Sequence, residues 1–234
     1  MKNLRRYHNT DILFKSLTQD IKEKMDLDLN SLFYLAISGG NTAIKMFDYW
    51  INKNLIPISW ERIRFFWVDE RCVPPNNSES NYFQAKKHLF EPLNIPMEHI
   101  FRIKGEKNPH EEASEYGNLI NNLVPHKNNK PAFNTVILGT GLDGHTASIF
   151  PNNLSLLTNN DNYAVVQHPE KPQMRISMTG TLILNADSII LPIVGKEKKD
   201  IIKKIISDDK EDLYLPGNYI YKTAKNITLY LEYI

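Results

Sequence analysis

Four short apolar runs constrain this chain more than any other feature: LFYLAIS at 32–38, RIRFFWV at 62–68, FNTVILGT at 133–140 and SIILPIVG at 188–195. Each is too short for a buried helix, and each stops at glycine or charge. Strands this uniformly apolar need cover on both faces, which a parallel sheet with crossover helices supplies. The intervening segments have helical spacing. TDILFKSLTQDIKEKM (10–25) sets Leu13, Leu17, Ile21 and Met25 four apart behind a Thr10 or Asp11 cap, and AIKMFDYWIN follows Gly39 and Gly40. Asn108 and Pro109, with Glu111 and Glu112 just behind, open a helix over 109–123. In KEKKDIIKKIIS, Ile201, Ile202, Ile205 and Ile206 share one face. YAVVQ (163–167) and the closing NITLYLEYI add strands, and Pro192 inside SIILPIVG argues for an edge position or a bulge. NNLVPHKNNKPAF is the only linker-like stretch. The expected fold is α/β, a mainly parallel sheet with helices on both faces, in a single domain over 1–234. Ligands then belong at the carboxyl ends of the strands.

Composition excludes several function classes. The net charge is +1, from 28 basic and 27 acidic residues in mixed order, so no field favours nucleic acid or an anionic membrane. The single cysteine, Cys72, rules out an internal disulfide and fits a reducing cytosol; beside Arg71 it reads as an inert, buried thiol. No stretch of about 18 uncharged apolar residues occurs, and the N-terminus has no signal-length apolar run, so a soluble, untargeted, cytoplasmic protein is expected. His110, His126, His145 and His168 show no metal-ligand spacing, and no metal is expected. Oligomeric state is not legible.

Chemistry gathers in the loops after the strands: Ser38, Gly39, Gly40, Asn41 and Thr42; Asp69, Glu70 and Arg71; GTGLDGH at 139–145; and GKEK at 195–198. The third contains a literal G-x-G-x-x-G. A dinucleotide loop needs a long helix after it, however, and Pro151 lies seven residues past Gly144. Asp143 would also put a carboxylate where a pyrophosphate should meet N–H groups. SGGNT precedes a helix start, where the N–H groups of Gly40, Asn41 and Thr42 can hold an anion. Lys198, in the first turn of its own helix, is unfavourable unless an anion is shared with it. A phosphomonoester satisfies both. Ser148 lacks the G-x-S-x-G elbow of a hydrolase nucleophile and reads as a helix-face serine.

SGGNT, VDERCVP, LGTGLDGHTASIFP, the RISMT segment at 175–179 and the G-x-x-K of Gly195 to Lys198 together resemble the 6-phosphogluconolactonases, within the broader glucosamine-6-phosphate isomerase-like fold. The chain differs from the usual pattern at Asn41 and Leu142. The resemblance implies a Rossmann-like α/β sandwich, hydrolysis of 6-phosphoglucono-1,5-lactone to 6-phosphogluconate, and no metal or organic cofactor. It makes His145 the general base with Asp143 beside it. The glycine loops, Arg175 and Lys198 would hold phosphate, and Arg71 would contact substrate. The implied binding set is thus Ser38, Gly39, Gly40, Asn41, Thr42, Asp69, Arg71, Gly144, Arg175 and Lys198. A δ-lactone is an activated ester, so an oriented water, a base and oxyanion donors suffice. Histidine suits the base, and Asp143 at i, i+2 can support the imidazolium. If the base lies elsewhere, Asp69 or Glu70 is next. The deaminases of the same fold continue D-G-H with a glutamate that this chain lacks at Ser148 to Pro151. Sugar-phosphate effector domains of bacterial regulators need a helix-turn-helix that the residues before 38 do not provide.

Overall fold

The computed structural model describes residues 2–53 and 55–232. Its centre is a six-stranded sheet in the order β1-β11-β10-β7-β2-β3, with β1 at Lys2–Tyr7, β2 at Phe33–Ile37, β3 at Ile63–Trp67, β7 at Thr135–Ile137, β10 at Ile189–Ile193 and β11 at Ile227–Glu232. Every pairing in it is parallel. Consecutive residues of β2 (Leu35, Ala36, Ile37) and β3 (Phe65, Phe66, Trp67) are buried, and so is the whole of β10, so helices cover both faces. The last two residues of the expected closing strand, Tyr233 and Ile234, lie outside the described residues.

Helix α1 (Thr10–Asp26) buries Leu13, Phe14, Leu17, Ile21 and Met25, each burial worth about 1.5–3 kcal/mol. Its cap is Asn9, one residue earlier than expected, whose Oδ1 accepts from Asp11 N at 2.7 Å. Helix α2 (Asn41–Lys53) starts directly after the glycine pair, and α4 (Pro109–Leu123) starts behind Asn108 as the sequence predicts. Short helices α3 (Asn81–Ala85) and α5 (Gly180–Asn185) escape the sequence pattern, as does α7 (Pro216–Thr223), which packs on α6 (Lys199–Ile206). Among the described residues no helix is long and apolar enough to cross a membrane.

Two expectations are corrected. Pro192 sits neither at an edge nor in a bulge: β10 lies between β11 and β7. Ile189 N donates to Asn226 O on the β11 side, so the backbone nitrogens of Ile190 and Pro192 face β7. Leu138 N donates to Ile190 O, and the paired register with β7 ends at Ile190. The donor that proline lacks is therefore the one that would carry this ladder on past Leu138, and the paired register with β7 ends just before it. The edge strands are instead β3 and β1, KNLRRY, the latter with no apolar run to announce it and with charged residues that suit an edge.

YAVVQ also lies outside the main sheet. Past Val68 the chain leaves β3 as β4 (Asp69–Arg71) and joins an antiparallel sheet, β4-β9-β8, with β8 at Tyr163–Gln167 and β9 at Met174–Met178. The linker-like stretch folds into a hairpin of β5 (His126–Lys127) and β6 (Lys130–Pro131), with Asn128 and Asn129 at φ 54° and 60°, the left-handed pair that a tight two-residue turn requires.

In the main sheet the chain runs from β2 outward to β3, and from β7 the opposite way to β10 and β11. The switch between β2 and β7 opens a crevice at their carboxyl ends. SGGNT follows one of these strands and GTGLDGH the other.

Candidate active site

A cleft of about 370 Å³ opens at that switch point. Every residue of the expected set lines it except Asp143 and Gly144: Ser38, Gly39, Gly40, Asn41 and Thr42 from the β2–α2 turn, Asp69 and Arg71 from β4, His145 from the glycine loop, Arg175 from β9 and Lys198 from the turn before α6.

The β2–α2 turn is shaped for close approach. Gly40 has φ +86°, a left-handed value that favours glycine, and a Cβ on Gly39 would lie 1.8 Å from Asn81 Oδ1. Ile44 N bonds back to Gly40 O, so the preceding N–H groups stand at the open start of α2.

The glycine loop is not the start of a helix. Gly144 N bonds to Gly141 O, Gly141 N to His145 O, and Thr146 and Ile149 exchange bonds across a tight turn in which Ala147 has φ +52°. Ser148 is therefore in a turn and not on a helix face. It is fully buried, with Oγ donating to Asp69 Oδ2 at 2.6 Å, so it is not placed to attack a ligand. Gly144 (φ +80°) faces away from the cleft: its oxygen accepts from Gly217 N at 2.9 Å, and a Cβ would press on Leu215 and Ile201. The segment after 207 thus backs the loop from behind.

His145 Nδ1 lies 2.6 Å from Asp143 Oδ1, and the ring also packs on Phe150, 4.8 Å between centroids. Asp143 stands behind the ring and not on the cleft wall. Partial burial acts to raise its carboxyl, but the hydrogen bond and charge of His145 outweigh this and hold it below the usual carboxylate range. A depressed folded value means that the pair adds stability above the unfolded carboxylate value and loses it as pH falls through the folded one. Melting curves of wild type and Asp143→Asn should accordingly differ at neutral pH and converge on the acid side of about pH 4. A gap that persists in acid would show that the stability does not come from the ionised pair.

β4 and β9 put Arg71 directly opposite Arg175. Like charges in that position repel unless an anion is shared. Arg175 is buried, 3.7 Å from Asp69 Oδ2; that oxygen accepts from Ser148 Oγ, and Asp69 Oδ1 accepts from Asn81 Nδ2. Burial lowers the Arg175 guanidinium; Asp69 counteracts this and Arg71 adds to it. Glu70 is turned inward, accepting from Arg71 N, Asn81 N, Tyr82 N and Ser80 Oγ. Burial raises its carboxyl despite those four donors. Its work is to hold α3, and so Asn81, against the cleft. Lys198 Nζ donates to Thr140 O at 2.9 Å; burial lowers its ammonium, Glu197 opposes this and Lys45 adds to it.

Lys45, Asn81 and Val194 also line the cleft from outside the motifs, and Thr140, Ala147 and Glu197 line it from within them without having been given a role. For Lys45 a signal existed: it lies one turn into the helix that follows SGGNT. Asn81 depends on the fold of a long Pro- and Asn-rich loop. Cys72 is half-buried, and burial pushes its thiol up to about 11, which leaves it unreactive near neutral pH. Among the described residues no group of three or more His, Cys, Asp or Glu side chains could hold a metal ion.

A parallel sheet whose switch-point cleft carries backbone donors, four cations and a carboxylate-backed histidine is the architecture of an enzyme acting on a small anionic substrate. The family model described as glucosamine-6-phosphate isomerases/6-phosphogluconolactonase matches residues 8–229, and the chain belongs to that family. The chain is 39% identical over 182 residues to the 6-phosphogluconolactonase of Treponema pallidum, covering 78% of this chain and 76% of that protein. It is 38% identical over 200 residues to the 6-phosphogluconolactonase of Haemophilus influenzae, covering 85% and 83%. The crystal structure of devB protein superposes with a TM-score of 0.90 at 32% identity, covering 99% of this chain and 97% of that one. The 6-phosphogluconolactonase of Trypanosoma brucei shares the fold at a TM-score of 0.85 and 24% identity, covering 99% and 96%.

Proposed function

We propose that the chain, acting as a single catalytic domain in the cytoplasm, hydrolyses 6-phospho-D-glucono-1,5-lactone to 6-phosphogluconate, the hydrolytic step of the oxidative pentose phosphate pathway. The observation that carries this reading is His145 on the wall of a cation-lined cleft with Asp143 behind it. With Nδ1–H donating to Asp143, the neutral ring leaves Nε2 bare for a water molecule. The base takes one proton as the water oxygen adds to the lactone carbonyl, and Asp143 stabilises the imidazolium so formed. Donors of the glycine turns and Arg71 meet the developing oxyanion. The ring C–O bond then breaks, and the ring oxygen takes up the proton as a hydroxyl. Ser38 to Thr42, Arg175 and Lys198 hold the phosphate, while Asp69 orients Arg175. No step needs a metal or an organic cofactor.

Charge-assisted contacts to phosphate are worth about 1.5–3 kcal/mol, so Lys198→Ala and Arg175→Ala should each weaken substrate binding by roughly ten- to a hundredfold. Unphosphorylated gluconolactone should be a poor wild-type substrate for the same reason. Acid release from freshly made lactone, corrected for spontaneous opening, measures both. Equal turnover of the two lactones by wild type would remove the phosphate assignment, and ammonia release from glucosamine 6-phosphate at a comparable rate would move the chain to the deaminase branch.

A further inference from the structure

Lys45 stands out among the cleft's cations because neither the sequence motifs nor the mechanism above uses it. It lies one turn into α2, is exposed, and lines the same cleft as Lys198. Lys45 also lines a groove between α1 and α2, but helical side chains lean back toward their own N-terminus, which lets its ammonium reach the turn where the free N–H groups of α2 stand. Two carboxylates lie close along its helix and on α1, but both are occupied: Asp48 Oδ1 is 2.8 Å from His88 Nδ1, and Asp11 is 3.3 Å from Lys53 Nζ. Among the described residues no ion pair or hydrogen bond involves Lys45.

This arrangement is unfavourable in itself. A cation near the N-terminal end of a helix opposes the helix dipole, and here a second cation, Lys198, is close enough to feel its charge. Three positive ends, two ammonium groups and the start of α2, thus share this end of the cleft, where Asp11 and Asp48 are already paired and Glu197 is exposed. A phosphate dianion accepted at that point relieves all three.

We infer that Lys45 is a substrate-binding residue, a mobile third cation that closes over the phosphate at the start of α2 and helps the cleft select phosphorylated over unphosphorylated lactone. The inference rests on the phosphosugar reading of the cleft. An exposed, flexible lysine contributes less than a buried one, so its share is smaller than that of Lys198.

The test is the ratio of kcat/KM for 6-phosphogluconolactone to that for gluconolactone, in wild type, Lys45→Ala and Lys45→Arg. The ratio should fall about tenfold in Lys45→Ala, with the loss in KM and a matching rise in the Kd of 6-phosphogluconate, and Lys45→Arg should recover most of it. The dependence of kcat/KM on ionic strength should also be shallower in Lys45→Ala, since one charge no longer attracts the dianion. A wild type that discriminates between the lactones, with Lys45→Ala discriminating equally well, overturns the role of Lys45 alone. A wild type with no discrimination overturns the phosphate reading, and this inference with it.

Discussion

His145→Ala should lose about a hundred- to ten-thousandfold in kcat, the usual range for a missing general base, and should still bind 6-phosphogluconate. The phosphate-holding residues come from other elements: the β2–α2 turn, β9 and the segment before α6. None of them bonds to the imidazole, so ground-state contacts survive its removal. Asp143→Asn should lose less, because the carboxylate supports and orients the ring without taking the proton from water. Single-turnover kinetics and product titration separate the two effects. A folded His145→Ala protein with near wild-type kcat would move the base elsewhere. Asp69, already engaged by Ser148, Asn81 and Arg175, and Glu70, turned inward to four donors, are poorly placed to replace it.

Gly141→Ala should cost nearly as much without removing any reacting group. A Cβ there would stand 2.3 Å from His145 Cε1, 2.4 Å from Nδ1 and 2.6 Å from Asp143 Oδ1. Its backbone is not in the left-handed region, so alanine is tolerated by the chain and the collision falls on the pair. Both side chains can swing away, and the fold therefore holds while the base moves. A displacement of about 1 Å in a reacting group can cost on the order of a hundredfold in rate. The expected result is such a loss in kcat, a melting temperature close to wild type and an unchanged Kd for 6-phosphogluconate. Wild-type kcat in Gly141→Ala would mean that the placement of the pair does not limit the reaction.

The amino-acid sequence determines a good deal by local rules alone. Apolar runs with no polar alternation demand a sheet covered on both faces, and β2, β3, β7 and β10 lie where those runs are. Apolar spacing and caps locate α1, α2 and α4 within a residue or two. The motifs that carry the family resemblance contain the cleft-lining residues other than Lys45, Asn81 and Val194, because in a parallel sheet the loops after the strands share one rim.

What tertiary structure decided depends on partners distant in the chain. Strand β1 is stabilised by β11, some 220 residues away, and nothing in KNLRRY foretells that pairing. Pro192 is tolerated inside the sheet because its nitrogen faces β7 at the end of their short pairing, while the pairing with β11 continues past it, a fact about the neighbouring strands and not about SIILPIVG. The departure of β4 from the main sheet sets Arg71 opposite Arg175, and the inward turn of Glu70 presses Asn81 against Gly39. Asp143 and Gly144, adjacent to His145 in sequence, face away from the cleft, while Lys45 from another element faces into it. Local chemistry selects the residue types, but only the packing of the whole chain sets which side chains share a cavity, since one turn of backbone is enough to send neighbours to opposite sides.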